Sequence, residues 1–312
     1  MTGPVKLVDF GNEEISNNNF FQKAQYYSEG NFFPVSTSKK DFITAMANSL
    51  MDKVIAGKEN SLIEILPVIK KSLEEKNIIL YSKDEELQKT IEEKGYGARM
   101  VKIKCVDSRD EAGNPINTES CYSDYISVIE ANFGVNKANY FITKSTVIEK
   151  IIASDGQVTT LLTLSYQNNS SNLSPPAMSY INYLRIIVPQ GSRLNNITIN
   201  NIPLSPTDID SEPYGSDKTA FGILLKIAPE NKGIVKANFT LGNKIPAENN
   251  IYELMYQKQS GEKLSPLVLS VTYSEQLKYT PVNFKSTTNR EKEIFYSTDS
   301  SVDRVFTLKK DT

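Results

Sequence analysis

The chain has 312 residues, 39% of them hydrophobic, with 35 basic and 37 acidic side chains and a formal charge of −2. That leaves room for two domains with ordinary cores, while six scattered Arg (99, 109, 185, 193, 290 and 304) exclude the concentrated basic face of a nucleic-acid binder. The absence of His and Trp removes Ser-His-Asp and Cys-His catalysis, His-ligated zinc and imidazole bases, so any chemistry would rest on carboxylates, Lys, Tyr or an oxygen-held metal.

The opening MTGPVKLVDFGNEE has neither a basic n-region nor an apolar h-region, and no run approaches the roughly 18 apolar residues of a membrane span. The Gly3-Pro4-Val5 start reads as an entry in mid-fold, either of a trimmed chain or of the C-terminal part of a longer gene. Residues 1–100 read mainly as helix with one short strand. Ser16 can cap a helix through Phe20, Phe21, Ala24 and Tyr27. Ser38 and Asp41 start a longer one through Phe42, Ile43, Met46, Leu50, Val54 and Ile55, with Gly57 as its stop. Ser61 and Glu64 form a capping-box pattern ahead of Ile65, Leu66, Ile69 and Leu73, in which Pro67 would bend or restart the helix. Ile78-Ile79-Leu80-Tyr81 reads as a short buried strand. Ser82 with Glu85 is a second capping box, for a helix through Leu87 and Ile91 that stops at Gly95. The acids Asp84, Glu85 and Glu86 sit in its first turn, where they offset the helix dipole rather than perform chemistry.

Residues 101–125 read as a loop insertion closed by a disulfide. Cys105 and Cys121 enclose a polar loop with Gly113-Asn114-Pro115 turn chemistry. A bridge would contribute roughly 3 kcal/mol in the chain-entropy model and would suit an oxidising compartment. Two unrelated thiols on flanking strands are the alternative. A metal would need two further soft ligands that the chain lacks.

Residues 126–312 change to a period of two. The stretch Asp124 to Ser145 reads as a strand, a tight turn and a second strand. Val158, Leu162, Leu164 and Tyr166 share one face, as do Phe221, Ile223, Leu225 and Ile227. Val235, Ala237, Phe239 and Leu241, then Leu267, Leu269, Val271 and Tyr273, repeat the pattern. Turn signals fall at Asp155-Gly156, Pro189-Gln190-Gly191 and Asn231-Lys232-Gly233, and Arg304 to Leu308 is a last strand. Such punctuation indicates an antiparallel β-sandwich, and the whole chain is expected to be α+β.

Read in order, GPVKLVDFGNEEISNNNFF, FFPVSTSKKDFITAMANSLMDKVI, NIILYSKDEELQKTIEEKGYG, DYISVIEANFGVNKANYFI, YINYLRIIVPQGS, TAFGILLKIAP and YELMYQKQSG resemble the C-terminal portion of DUF-4012, a bacterial envelope family of unknown function. The resemblance covers most of the chain and rests on co-linearity, each motif being weak alone. It implies a cell-surface protein anchored in the membrane through an upstream segment, preceded by a region similar to LytR-CpsA-Psr glycopolymer-attaching proteins. The Cys105–Cys121 loop departs from the family pattern.

Three functions follow as expectations. The first is a non-enzymatic extracytoplasmic module that scaffolds or binds cell-wall or exopolysaccharide components or other envelope proteins, with no cofactor and no metal. The second is part of a glycopolymer transferase. That chemistry needs clustered Arg, whereas Arg185 alone lies within a family-like motif, and a strand position paired with an acid explains it too. The third is sugar recognition by tyrosines. Tyr252 and Tyr256 would share a strand face, while Tyr180 and Tyr183, an odd number apart, would point oppositely. Core packing is the competing account of these tyrosines. Asp208, Asp210, Glu212 and Asp217 read as one acidic loop, and Asp107, Asp110 and Asn114 as another, without the spacing of a calcium loop. The Asn-x-Ser/Thr sites at Asn168, Asn169, Asn172, Asn196 and Asn238 read as Asn-rich turns.

Overall fold

The computed structural model describes residues 4–28, 41–55, 59–105, 120–134, 137–171 and 178–311. The expected cap at Ser38, the stop at Gly57, the Gly113-Asn114-Pro115 turn, the acids Asp107 and Asp110, and the Asn172 site lie outside them. The fold is mixed α/β, with four α-helices and two large sheets among the described residues. The chain divides into two compact units, Met1–Leu73 and Glu74–Thr312.

In the first unit, strands β1 (Val5–Leu7) and β2 (Glu13–Ile15) form an antiparallel hairpin that the helical reading did not anticipate. Its turn places Gly11 and Asn12 at positive φ. Helices α1 (Phe20–Ser28) and α2 (Asp41–Ile55) occur where their periodicity put them. Phe42 of α2 packs against Phe10 at 5.4 Å and Tyr27 at 5.0 Å, which closes a small core with Val5, Leu7 and Ile15. Helix α3 (Glu59–Glu74) begins before the Ser61 capping pattern and runs through Pro67.

In the second unit, Ile78–Tyr81 is not a buried strand. Its residues are 42, 47, 40 and 79% exposed, and the segment's ladder-like contact is one bond from Leu80 N–H to the Tyr96 carbonyl, 2.9 Å. β-Branched, apolar residues favour extension, but a strand needs a neighbour to accept its ladder, and neither sheet pairs with this segment. Helix α4 (Glu85–Glu93) is capped by Asp84 rather than Ser82, its carboxylate accepting from Leu87 N–H at 2.8 Å. Ser82 instead accepts from Asp84 N–H, tightening the turn before it. Gly95 ends the helix at φ 73°, a conformation that suits glycine.

The strands that follow are β3 (Cys121–Asn132), β4 (Ile142–Ile152), β5 (Val158–Asn168), β6 (Tyr180–Pro189) and β7 (Arg193–Ile199). Next come β8 (Ile202–Pro203), β9 (Ile209–Tyr214), β10 (Lys218–Ile227), β11 (Lys232–Thr240) and β12 (Ile251–Gln257). The last are β13 (Pro266–Tyr273), β14 (Tyr279–Pro281), β15 (Thr288–Arg290), β16 (Glu293–Asp299) and β17 (Arg304–Lys310). One sheet has seven strands in the order β14-β17-β12-β3-β6-β10-β9; the other has eight, β15-β16-β13-β4-β5-β11-β7-β8. The pairing is antiparallel except at β12–β3 and β13–β4, which run parallel. The expectation of a wholly antiparallel arrangement is therefore corrected. The period of two fixes which side chains face inward but carries no information on strand direction.

Strands β3 and β4 do not form a hairpin. They belong to different sheets, and the connection passes through a 3-10 turn at Ala138–Phe141 that absorbs Tyr140 and Phe141. The four alternating apolar sets named above are all buried in one core to which both sheets contribute. Phe221 of β10 meets Phe239 of β11 at 6.3 Å, and Tyr296 of β16 meets Phe306 of β17 at 4.9 Å, so rings cross between the sheets at both ends. No helix among the described residues is long and apolar enough to cross a membrane.

Candidate functional site

The seven-stranded sheet has two chemically distinct faces, and the sequence-predicted residues are divided between them. On the inner face, Tyr252 and Tyr256 share an orientation as their spacing requires, and both are 1% exposed. No ring face is left for a sugar, so the stacking role expected of them is corrected. β12 is an inner strand of its sheet, with β3 and β17 on either side, and its residues from Ile251 to Leu254 are all buried. Tyr252 donates its hydroxyl to Asp124 Oδ2 at 2.5 Å, and Lys150 Nζ lies 2.5 Å from the same oxygen. Asp124 and Lys150 are both 0% exposed. Burial lowers the proton affinity of Lys150 against the pull of Asp124, and raises that of Tyr252.

Six residues along both strands, a second charged group bridges the sheets. Lys144 of β4 is 3.4 Å from Glu130 of β3 and also contacts Glu262. The ammonium is within ion-pair reach of both carboxylates but out of line for a hydrogen bond to either. Burial opposes its charge, yet Glu130, Tyr256 and Glu262 together hold its proton affinity above the ordinary value; burial pushes Glu262 up. The inner face therefore carries matched acids on β3 and lysines on β4.

The outer face is different. A strap at residues 99–105 crosses it, and Met100, Val101 and Ile103 pack on Tyr125, Ile187 and Ala220. Gln257 clamps the strap by accepting from Val101 N–H at 3.0 Å and donating to the Arg99 carbonyl at 3.0 Å. Asp217 accepts from Ile103 N–H at 2.7 Å and pairs with Lys218, also at 2.7 Å. Although burial acts the other way, these two partners keep the Asp217 carboxyl below its ordinary value. The expected disulfide is present: Cys105 at the end of the strap is bonded to Cys121 at the start of β3, with a sequence separation of 16. A cleft of about 780 Å³ opens along the strap beside α4, but its Arg99 is already paired with Glu92 at 2.7 Å.

Beyond the strap, the same face carries Arg185. It is flanked by aromatic rings rather than paired with an acid, its guanidinium lying 6.0 Å from the Tyr183 ring and 5.7 Å from that of Tyr214. Its Nε is buried without a hydrogen-bond partner. Tyr180 turns inward and Tyr183 outward, as their odd separation requires. Tyr183 reaches across β10 to donate to Asp210 at 2.6 Å, and this bond, then burial, pushes its pKa to about 12. The crossing depends on Gly222, where a Cβ would lie 2.3 Å from the Tyr183 hydroxyl. Phe133 stands edge-on to Tyr183 at 6.1 Å, and Phe133 and Leu224 are 63 and 61% exposed.

Asp210, Glu212 and Tyr214 reach this face because 209–214 is strand β9, not the acidic loop expected from sequence. An edge strand that carries acids and Pro213 reads as a loop, because both features keep edges from pairing further. Alternation of Asp210, Glu212 and Tyr214 was the available signal. Among the described residues no group of three or more His, Cys, Asp or Glu gathers as metal ligands. Asn168, expected in a turn, is instead buried and donates to the Met178 carbonyl at 2.8 Å.

No known family profile matches the chain, and no curated relative does. Among solved structures it is similar to a protein described as nutrient binding from Legionella pneumophila, at 7% identity and TM-score 0.38, covering 60% of this chain and 71% of that one. It is also similar to an M1 zinc metallopeptidase from Deinococcus radiodurans, at 10% identity and TM-score 0.33, covering 54% of this chain and 42% of the peptidase. Leukotriene A4 hydrolase from Saccharomyces cerevisiae matches at 7% identity and TM-score 0.35, with 55% of this chain and 29% of the hydrolase covered. These likenesses are too distant to carry a function across.

Proposed function

We propose that the two sheets form a β-sandwich that acts as a non-enzymatic binding module outside the cytoplasm of a bacterium, taking a surface glycan on the outer face of the seven-stranded sheet. The observation that carries the reading is Arg185 held between the Tyr183 and Tyr214 rings, with Phe133 and Leu224 exposed beside it. Aromatic rings offer flat apolar faces to sugar C–H groups, and an Arg that no acid neutralises can attract an acidic substituent. The disulfide supports an oxidising compartment. The co-linear resemblance of its motifs to DUF-4012 supports an envelope setting. A patch on a sheet face suits a polymer better than a small substrate, since it positions without enclosing.

The test is binding of the purified chain to cell-wall and exopolysaccharide fractions by calorimetry. Arg185→Ala and Tyr214→Ala are expected to weaken binding about tenfold each, roughly the worth of one charge-assisted bond or one ring contact. No binding across a broad panel, or binding unaffected by either substitution, would sink the proposal.

A further inference from the structure

We propose that Asp124 and Lys150 become joined by an amide bond that the protein forms within its own core. Three observations place the reacting groups. Lys150 Nζ and Asp124 Oδ2 are 2.5 Å apart on strands of opposite sheets, and both side chains are 0% exposed. Tyr252, 1% exposed, donates to that same Oδ2 at 2.5 Å. The surroundings are mainly apolar: Ile126, Ile148 and Leu254 belong to the core cluster, the Phe239 ring centroid is 5.7 Å from Nζ, and the buried Thr160 opposite Lys150 is the polar exception.

In water an ammonium and a carboxylate do not condense, because solvation holds each as an ion. Inside this core that solvation is absent, and an ion pair in contact can pass one proton to become a neutral amine and a neutral acid. Burial already disfavours the charged form of Lys150. The amine then has its electrophile held in place, which removes the entropic cost of encounter. Tyr252 polarises the carboxyl and is the only hydroxyl hydrogen-bonded to Oδ2 among the described contacts.

The balance needs no outside reagent. The Nζ lone pair attacks Cγ, giving a tetrahedral carbon. One amine proton passes through the Tyr252 hydroxyl to Oδ2, the Cγ–Oδ2 bond breaks, and one water leaves. One Nζ–Cγ bond is made, nothing is oxidised or reduced, and Tyr252 ends as it began. The neighbouring group at Lys144 is the internal contrast. Its ammonium is shared by two carboxylates that hold its proton. It is expected to remain an ion cluster.

The experiment is the intact mass of the full chain, denatured and with its disulfide reduced, followed by protease digestion. The expected mass is one water below that of the sequence, with a branched peptide joining the segments that contain Asp124 and Lys150. A full sequence mass would overturn the proposal, as would a missing water traced to Lys144 and Glu262. Tyr252→Phe keeps the ring and its packing, and is expected to be recovered largely at full mass, since loss of a positioned proton relay slows such a step about a hundredfold or more. Recovery of that variant fully cross-linked would overturn the relay.

Discussion

The two faces of one sheet show how the same strand pattern can serve opposite ends. Inward, β3 and β12 present Asp124 and Tyr252 to Lys150 in a site that excludes water, and every partner comes from the core. Outward, β6 and β9 present Arg185, Tyr183 and Tyr214 to solvent, and the covering is a single strap tied down by Gln257, Asp217 and a disulfide. On the inner face Asp124, Lys150 and Tyr252 satisfy one another, while Lys144 is held among its carboxylates by charge alone. On the outer face Arg185 retains an unpartnered donor. Polarity alone thus does not mark a binding site; a charge set among aromatic rings on the outward face is the better marker.

The largest effect that would sharpen this contrast is expected at Asp124→Ala. Removing one partner of a fully buried pair strands Lys150 and should cost about 3–5 kcal/mol, read as a shift in the urea midpoint. Arg185→Ala, outward on the same sheet, should leave the midpoint nearly unchanged. Next, replacing both Cys105 and Cys121 with Ser should lower stability by about 2–4 kcal/mol. Limited proteolysis should then cut at the strap before the strands; cleavage unchanged from the oxidised protein would contradict the strap's dependence on the bridge.

Gly222→Ala comes third. Its Cβ would displace the Tyr183 hydroxyl, at an expected cost of about 1–3 kcal/mol, and glycan binding should fall with it. If stability falls but binding does not, the Tyr183–Asp210 bridge is scaffold only. The smallest effect is a pH dependence. Tyr183 titrates near 12 in the folded chain against an ordinary 10.0, so between those values the folded state holds more protons than the unfolded one. Its contribution is full below pH 10 and lost as pH rises through 12. Tyr183→Phe should flatten the decline of stability over that window in urea titrations at stepped pH. An equally steep decline in the variant would assign the effect to other tyrosines.

Much of the second unit was legible in the sequence because its apolar alternation is regular. Val158 to Tyr166 and Val235 to Leu241 face the core as their spacing requires. Sheet membership was not legible. β3 and β4 read as neighbours because they are consecutive, yet pairing depends on contacts with residues more than a hundred positions later. The inward charges were also missed. Lys144 and Lys150 share the phase of Ile148 and Ile152 on β4, and that phase was the signal that they point inward. A lysine in a strand reads as solvent-facing by default. At the outer patch Arg185 and Tyr183 were named, whereas Tyr214 and Asp210 were hidden in a strand whose acids resemble a loop. For Tyr252 and Tyr256 the spacing gives a shared face but not which face, so it does not by itself choose between sugar stacking and the core packing that the structure shows.

The parallel pairs β12–β3 and β13–β4 have a consequence for synthesis. Until residues 251–273 emerge and pair, β3 and β4 each lack a neighbour on one side. A nascent chain of that length would offer two long open edges to any other chain nearby. Inward-pointing charges are one of the devices by which natural proteins discourage such edge-to-edge association. Asp124 and Glu130 lie on one of these strands, Lys144 and Lys150 on the other. The residues that bridge the finished core therefore also stand guard over its unfinished form, making a stray apolar strand a poor partner until the rightful ones arrive.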